Sequence, residues 1–407
     1  MAPSILLLGG IQQVGRHILA QLVQESPESE IRVVDREHPD RAFLSKVHRD
    51  ALERIDFLQV NIQNEADAEK AFARKDNLGW DYVINASFDD RYGLDPTVYQ
   101  RHITQPARLA AQEAKQSGCR AFIHMSYGVA FRYSNDKGLA TERELRQPRS
   151  HLIKSLSVVQ AEKAVQIPGL PVVILRYCEP YGKDLRLGVA AVFPYYIIST
   201  HQKQTFSCIH DPMARMNTVH VSDIARAAWH MCRWKGSRSP SGGSVGGSHG
   251  SFPSQDGIAE FMGGGGSQTG QGEYPDVHIF NLADEGDSRV GEVFHLAANA
   301  FKTDARFPSK MVRYFTSSAL RTKTIRESIN ARYNPLWLEI LKKNQVEQTP
   351  FMAYIHEEQL FDYALGMDGC RITYVAGFTY QYPRLTQEAL QDIMKDWTDR
   401  GLLPRPL

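Results

Sequence analysis

The stretch ILLLGGIQQVGRHILAQL, from Ile5 to Leu22, sets the architecture of this chain. It opens with four apolar residues, passes through a turn that holds Gly9, Gly10 and Gly15, and ends in a segment with apolar residues at helical spacing. A short apolar run bounded by glycine is typical of a buried strand, and the following pattern predicts a helix to about Val23. The stretch therefore predicts a strand, a tight turn and a helix.

The same alternation of strand and helix patterns continues along much of the chain. Further strands are predicted at 31–35, 55–62, 81–87, 119–126, 171–177 and 277–284, with helical patterns at 66–74, 104–118 and about 155–165. Short apolar strands separated by helices are what a parallel sheet covered on both faces requires. The sequence therefore predicts an α/β fold of the Rossmann type, a doubly wound parallel sheet, with a smaller C-terminal lobe.

The glycine turn has the position of a phosphate-binding loop between a strand and a helix. Such loops use glycines for the turn itself, for close approach of a pyrophosphate and for packing of the helix. Gln12 stands where the middle glycine is expected. Asp35 ends the second strand about 20 residues after Gly15, where a carboxylate accepts hydrogen bonds from an adenosine ribose. Asp35 favours NAD over NADP, and Arg36 beside it keeps NADP open.

The composition limits the class of protein. The chain has 407 residues, 42% of them hydrophobic and 23% charged, and a net charge of +1. Such a balance gives no field that would gather nucleic acid or an anionic membrane, and no segment has the ~20 apolar residues of a membrane span. The five scattered cysteines lack the spacing of metal ligands and predict reduced thiols. We expect a cytoplasmic protein without a metal, a membrane partner or a nucleic-acid partner.

Five segments resemble the extended short-chain dehydrogenase/reductase superfamily, and within it the NAD-dependent epimerase/dehydratase family. They are QVNIQN (59–64), DYVINAS (81–87), RAFIHMSYGVAF (120–131), LPVVILRYCEPYGK (170–183) and MNTVHVSDIARAAWH (216–230). The last two are the most specific, and the resemblance covers most of the chain. It implies NAD as the cofactor, with Asn61 and Ile62 near adenine and with Ala86 and Ser87 beside the dinucleotide.

The expected cofactor-binding residues combine the glycine turn with these resembling segments. They are Gly9, Gly10, Gln12, Gln13, Val14, Gly15, Asp35, Arg36, Asn61, Ile62, Ala86 and Ser87. Residues 1–183 are expected to form the NAD(P)-binding domain, completed by about 218–235 and 275–284. Residues 184–217 and 285–407 would form the substrate lobe. Glycine and serine dominate 236–274, which predicts a flexible insertion because few apolar residues offset the entropy of ordering it.

The catalytic segment departs from the family pattern. In such enzymes a tyrosine, its pKa lowered by a lysine four residues on, exchanges a proton with substrate while hydride moves to or from nicotinamide. Here the segment is SHLIKSLSVVQAEKAV. Alignment on Glu162 puts Lys154 at the tyrosine position and Val158 at the lysine position. A valine can neither hold a ribose hydroxyl nor lower a neighbour's pKa, so the family's chemistry is expected to be absent.

A relocated base is the alternative to lost chemistry. Lys154 and Tyr127, which occupies the hydroxyl position at the end of the fifth strand, are the candidates, with His124 and His151 near them in this alignment. Lys154 could act as a base if burial lowered its pKa by several units. The structural interpretation instead makes His124 a hydrogen-bonded core residue, places His151 and Lys154 in solvent at a helix start or in a loop, and lets Tyr127 fill the space around the nicotinamide end.

Two further family positions are changed, since Glu179 replaces an asparagine that contacts substrate and His102 replaces one near the cofactor. The preferred interpretation is an NAD(H)-binding sensor, scaffold or regulator. The alternatives are an active NAD-dependent epimerase, dehydratase or reductase with a non-standard base, and a structural protein whose turn is too crowded for a nucleotide. Relatives often pair through the helices that flank the fifth strand, here about 104–117 and 155–165, which predicts a homodimer.

Overall fold

The computed structural model of the chain describes residues 2–75, 78–134, 137–144, 147–149, 152–238, 276–360 and 363–405. The predicted insertion lies outside the described residues from 239 to 274, and so does His151. All five cysteines are free thiols, and only Cys370 is exposed.

The strands and helices follow the predicted alternation. The strands are Ser4–Leu8 (β1), Glu30–Asp35 (β2), Asp56–Gln59 (β3), Tyr82–Asn85 (β4), Ala121–Tyr127 (β5), Val172–Tyr177 (β6), Glu179–Tyr181 (β7), Phe206–Ser207 (β8), Thr218–His220 (β9), Val277–Leu282 (β10) and Ala305–Arg306 (β11). The helices are Gly15–Glu25 (α1), Lys46–Leu52 (α2), Glu65–Phe72 (α3), Pro96–Tyr99 (α4), Gln105–Gln116 (α5), Ser155–Ala164 (α6), Phe193–His201 (α7), Val221–Gly236 (α8), Val290–Ala300 (α9), Lys310–Arg321 (α10), Lys323–Lys343 (α11), Arg371–Ala376 (α12) and Gln387–Asp399 (α13).

Seven strands form one parallel sheet in the order β10-β6-β5-β4-β1-β2-β3. The predicted doubly wound α/β fold is thereby confirmed. The strand order reverses between β1 and β4, and in such sheets a crevice opens at that point beyond the carboxyl ends of the strands. The turn after β1 therefore lies at the place where a parallel α/β sheet binds ligands.

Alternation along β1 shows why the sheet is buried on both faces. Ile5 and Leu7 pack with α1 and α8 on one face, whereas Leu6 and Leu8 pack with α3, α5 and α6 on the other. All four side chains are inaccessible to solvent. A strand without a polar face is stable only between two layers of helices, which explains the continuous apolar run in the sequence.

The predicted third strand is longer than the observed one. The pattern indicated 55–62, but β3 ends at Gln59 and lies at the edge of the sheet. Only β2 pairs with β3, and the last ladder-like bond, from the Val60 amide to the Asp35 carbonyl, is 2.9 Å. Asn61 and Ile62 consequently leave the sheet and pass into the crevice.

A separate apolar cluster joins α7, α9, α11 and α13. In α13 the side chains of Leu390, Ile393 and Trp397 are buried and Met394 is partly buried against the cluster. One face of α13 is therefore part of the core of this cluster. Arg400, just after α13, donates hydrogen bonds to Asp184 and to the Phe43 carbonyl, which ties this cluster to the sheet region.

Candidate functional site

The turn after β1 requires glycine because backbone packs against backbone there. Gly9 has φ +77°, and a Cβ on it would lie 2.7 Å from the amide nitrogen of Ser87. A Cβ on Gly15 would lie 1.9 Å from the carbonyl oxygen of Gly9, and one on Gly10 would lie 2.6 Å from the Val33 side chain. The turn thus brings the N-terminus of α1 against the loop after β4. Free amides at a helix N-terminus favour a bound anion.

The side chain of Gln12 folds onto Asp35. Gln12 Nε2 donates to Asp35 Oδ1 at 3.1 Å, and the Ile11 amide donates to Oδ2 at 3.1 Å. The Glu37 amide is a second donor to Oδ1. Burial raises the pKa of Asp35, and these hydrogen bonds oppose the rise. Asp35 therefore holds the turn in place, and Oδ2 retains one lone pair for a further donor.

Two cavities meet around this turn. The outer cavity is lined by the predicted residues Gly9, Gln12, Asp35, Arg36, Asn61, Ile62 and Ser87, together with Val34, Val60, Phe88, His102 and Pro106. The inner cavity is lined by the predicted residues Gln12, Gln13, Val14, Ala86, Tyr127 and Lys154, together with Phe88, Asp90, Tyr92, Met125, Tyr177, Pro180, Leu185 and Leu187. Gly10 and Gly15 line neither cavity and act within the turn.

A buried carboxylate organises the loop after β4. Asp89 is fully buried and accepts hydrogen bonds from Arg91 at 2.6 Å and from His102 at 2.8 Å. Arg36 lies 3.4 Å from the same carboxylate. Burial raises the pKa of Asp89, but hydrogen bonds from Arg91 and His102 and the charge of Arg36 hold it well below its usual range. Arg36 and His102 are thus bound to protein groups at the edge of the outer cavity.

Gln13 links the turn to the segment after β7. Its Oε1 accepts a hydrogen bond from the Arg186 amide at 3.0 Å. One guanidinium nitrogen of Arg186, Nη2, in turn donates to both carboxylate oxygens of Asp90, at 2.7 and 2.9 Å. Both glutamines of the turn therefore make bonds within the protein, and a chain of polar contacts closes one side of the inner cavity.

Lys154 lies inside the inner cavity and not in solvent. Only 1% of the residue is exposed, and Nζ donates to the carbonyl oxygens of Asp90 and Arg91 at 2.9 and 3.1 Å. The ammonium lies 4.0 Å from the centre of the Tyr92 ring. Burial lowers the pKa of Lys154 to about 8. The interpretation of Lys154 as an exposed residue is wrong, because the loop after β4 folds over it and supplies both acceptors.

Val158, at the family's lysine position, packs in the apolar cluster between the sheet and helices α5 and α6. It is 2% exposed. His124, in the middle of β5, is also buried, with Nδ1 3.2 Å from the Asn85 side-chain amide. Its expected role as a hydrogen-bonded core residue is confirmed. Neither residue can therefore serve the cavity.

Successive residues at the end of β5 face opposite sides of the sheet. Ser126 Oγ donates to Glu162 at 2.5 Å, and Arg176 forms a bidentate pair with the same buried carboxylate at 2.6 and 2.9 Å. The hydroxyl of Ser126 is thus bound to α6, away from the inner cavity. Tyr127, the next residue, lines that cavity.

The carboxyl group of Glu179, the first residue of β7, interacts with the Tyr127 hydroxyl. Glu179 is 4% exposed. Burial raises its pKa to about 7, and the charges of Arg149 and Lys154 and the Tyr127 hydroxyl oppose that rise. Burial and the Glu179 carboxylate together raise the pKa of Tyr127 well above its usual range. Perturbed pKa values therefore belong to a phenol and an amine that line the inner cavity, and to a buried carboxylic acid next to the phenol.

The raised pKa of Glu179 makes stability depend on pH. Because the folded state holds this proton more tightly than the unfolded chain, its stabilising effect is present below pH 4.5 and is lost as the pH rises to about 7. As the pH rises over that range, we expect the free energy of unfolding of Glu179→Gln to increase by up to about 3 kcal/mol relative to that of the wild type. Urea unfolding at pH 4.5, 6 and 7.5 measures this difference. For Glu28→Gln, at an exposed position, the difference in the free energy of unfolding from the wild type should change by less than about 0.5 kcal/mol over the same pH range. If this difference changed equally with pH in both variants, the effect would not come from the burial of Glu179.

The polar network around the inner cavity was not predicted from the sequence. Its members Asp89, Asp90, Arg91 and Tyr92 come from the run FDDRYG at 88–93. That run directly follows the DYVINAS strand, so a cluster of charges at the carboxyl edge of the sheet was the available signal. Its partner Arg186 gives no local signal, since the contact joins residues 96 positions apart.

The fold of this chain is similar to the folds of several enzymes of known structure. A UDP-galactose 4-epimerase matches with a TM-score of 0.59 and 12% identity over 97% of this chain and 99% of that chain. The Bordetella bronchiseptica enzyme WbmH, solved with NAD+, matches with a TM-score of 0.60 and 13% identity, over 98% of this chain and 99% of that chain. UDP-glucose 4-epimerase from Bifidobacterium longum, solved with NAD+ and UDP, matches with a TM-score of 0.60 and 14% identity, over 97% of this chain and 98% of that chain. At such identities the likeness shows the fold alone.

No curated protein sequence matches the chain. Within the described ranges, no helix is long and apolar enough to cross a membrane. The same residues contain no group of three or more histidine, cysteine or acidic side chains that could hold a metal ion.

The family model described as the NAD dependent epimerase/dehydratase family matches residues 5–242. This match covers more than half of the chain and includes the glycine turn, Asp35 and all of the sheet except β10. The resemblance noted in the sequence is thereby confirmed, and the chain belongs to the NAD-dependent epimerase/dehydratase family.

Proposed function

We propose that this chain binds NAD(H) and acts as a sensor, scaffold or regulator, without the tyrosine–lysine proton transfer of its family. The observation that carries the proposal is the state of the two catalytic positions. Lys154 stands for the tyrosine and donates to two backbone carbonyls, while Val158 stands for the lysine and is buried among apolar side chains. Tyr127 does not replace them, since a raised pKa is the reverse of what a phenolic base needs.

Groups that line the crevice support a site for the adenosine half of a dinucleotide. Asp35 Oδ2 has a lone pair left for a ribose hydroxyl, and the N-terminus of α1 offers amides to the pyrophosphate. Asn61 and Ile62 would border adenine, with Ala86 and Ser87 along the dinucleotide. The side chain of Gln12 is drawn toward Asp35, which supports room for the phosphates. Bound NAD would supply a hydride acceptor at its nicotinamide.

The charges around the outer cavity favour NAD over NADP. The buried carboxylate of Asp35 would repel a 2′-phosphate. Arg36, the cation that could bind that phosphate, lies 3.4 Å from Asp89 and 3.7 Å from Glu37. An arginine already paired has less attraction for a further anion. We therefore include a preference for NAD(H) in the proposal.

We expect NAD(H) to bind with one site per chain and NADP(H) to bind at least about tenfold more weakly, a difference of roughly 1.4 kcal/mol. Isothermal titration with the four coenzymes measures this preference, and ADP-ribose should also bind because the contacts lie on the adenosine side. A panel of nucleotide sugars, ketones and alcohols should give no change in nicotinamide absorbance. Turnover that Lys154→Ala or Tyr127→Phe abolishes would refute the proposal.

An active enzyme with a non-standard base is the second candidate, favoured by Glu179. A buried carboxylic acid with a pKa of about 7 beside a phenol is suited to general acid–base work near neutral pH. This function predicts that the reaction rate changes with pH near pH 7 and that this change shifts in Glu179→Gln. The first proposal predicts that no turnover is measured at any pH.

A structural protein without nucleotide is the remaining alternative. It predicts no thermal shift with any of the four coenzymes, and Gln12→Gly would gain binding. Our proposal keeps the expected division into a nucleotide domain at 1–183 and a lobe at 184–217 and 285–407. It also keeps a homodimer formed through α5 and α6.

A further inference from the structure

Helix α10 turns an apolar side toward solvent. Met311 is 70% exposed, Val312 50%, Tyr314 71% and Phe315 64%. Leu320 is the only residue of this helix that is buried. A surface helix normally directs its apolar stripe toward the core and its polar side chains outward. The outer face of α10, defined by Met311, Val312, Tyr314 and Phe315, shows the reverse arrangement.

Helical spacing shows that this face points away from the body of the protein. Leu320 follows Met311 by about two and a half turns and so lies on the opposite side. Arg313 and Ser317, on the side of Leu320, are half-buried, and Arg313 lies 3.4 Å from Asp211. Polar groups of α10 thus face the protein while aromatic and aliphatic groups face out. Contiguous apolar surface of this kind marks an interaction site.

The chain segment that carries the outer face holds charges of one sign. No aspartate or glutamate occurs between Asp304 and Glu327. The cations in this interval are Arg306, Lys310, Arg313, Arg321, Lys323 and Arg326. Two of them are paired, Arg313 with Asp211 and Arg326 with Glu357. The other four are exposed. The expectation of no membrane partner rested on the net charge of +1, which averages over the whole chain and hides this local excess.

We propose that the outer face of α10 docks on the surface of an anionic lipid bilayer. Phenylalanine and methionine side chains would enter the boundary between headgroups and acyl chains, and the flanking cations would lie at the lipid phosphates. Lys310 and Arg321 are about three turns apart on one side of the helix, next to Tyr314, as an interfacial helix requires. Such a helix lies along the membrane, so the absence of a spanning helix among the described residues agrees with the proposal. The inference is independent of the nucleotide site.

Vesicle co-sedimentation of the full chain tests this proposal. We expect binding to phosphatidylcholine vesicles that contain 30% phosphatidylserine (about one lipid in three), weak binding to pure phosphatidylcholine, and release by high salt. Lys310→Gln with Arg321→Gln should weaken binding by about 25-fold, from the usual contribution of two basic residues. Equal binding to both kinds of vesicle, or none to either at low salt, would overturn the proposal.

Matched variants separate the outer face from general effects. Phe315→Glu should weaken vesicle binding at least about tenfold. Val47→Glu, in α2 and also 64% exposed, places the same charge at a similar position elsewhere and should bind like the wild type. Equal losses in both variants would contradict the assignment to α10. Light scattering completes the test: a dimer that Phe315→Glu dissociates, without vesicle binding by the wild type, would make a second copy of the chain the occupant instead.

Discussion

Replacement of Glu162 by glutamine is expected to destabilise the protein by about 3 to 5 kcal/mol. The carboxylate is 3% exposed and accepts hydrogen bonds from Arg176 and Ser126. Arg176, itself 8% exposed, would keep its charge without the opposite charge that compensates its burial. Breaking one side of a buried ion pair costs far more than an exposed pair contributes. Urea unfolding at neutral pH gives the free energy of unfolding of variant and wild type.

Two controls make this prediction specific. Asp50→Asn removes the same charge from the exposed pair with Lys46 and should cost at most about 0.5 kcal/mol. The double variant Glu162→Met with Arg176→Met replaces the whole pair by apolar groups and should recover most of the loss. If Glu162→Gln were as mild as Asp50→Asn, the pair would not anchor α6 to the sheet. The orientation of the segment that carries Lys154 would then need another explanation.

Gly15→Ala is expected to cost more than about 3 kcal/mol and to abolish NAD(H) binding at accessible concentrations. The added Cβ would lie 1.9 Å from the carbonyl oxygen of Gly9. Gly9 cannot retreat, because its amide donates to the Val34 carbonyl at 2.8 Å and a Cβ on it would lie only 2.7 Å from the Ser87 amide nitrogen. The methyl group must therefore separate α1 from the turn, and the amides at the start of α1 would move with it.

Gly138→Ala is the matched control, since a Cβ there meets no atom within 4 Å. Its free energy of unfolding should stay within about 0.5 kcal/mol of the wild type, with unchanged NAD(H) binding. Thermal unfolding with and without NADH measures both quantities. A stable Gly15→Ala protein that still binds NADH would show that the turn opens without cost, contrary to its packing.

The turn after β1 departs from the common glycine pattern by using its glutamines as structural residues. Gln12 holds Asp35, and Gln13 holds the segment that begins with Arg186. A glutamine side chain that pointed into the crevice would crowd a phosphate. When its amide is instead hydrogen-bonded to another part of the protein, the turn keeps room for that phosphate. This is why the turn remains a dinucleotide site in our proposal.

Local sequence patterns by themselves determined the fold and the outline of the crevice. The apolar run of β1, the glycines of its turn and the recurring strands require a parallel sheet with helices on both faces, because apolar strands cannot face water. Asp35 at the end of β2 and Ala86 and Ser87 after β4 follow from that sheet, since the carboxyl ends of parallel strands share one edge. The aliphatic Val158 at a position that needs a cation was also evident from the sequence.

The tertiary structure alone decided the surroundings of the catalytic positions. Lys154 is buried because carbonyls from residues 63 and 64 positions earlier close over it. The bond of Gln13 spans 173 positions, and Glu179 comes near Tyr127 only because β6 pairs with β5, which sets Tyr177 beside Tyr127. Hydrogen bonds between loops that are distant in sequence depend on how the strands of the sheet position those loops. Local sequence patterns do not indicate which loops will be in contact. The exposure of the apolar side of α10 is likewise a tertiary fact, because helical periodicity alone does not say which side faces the protein.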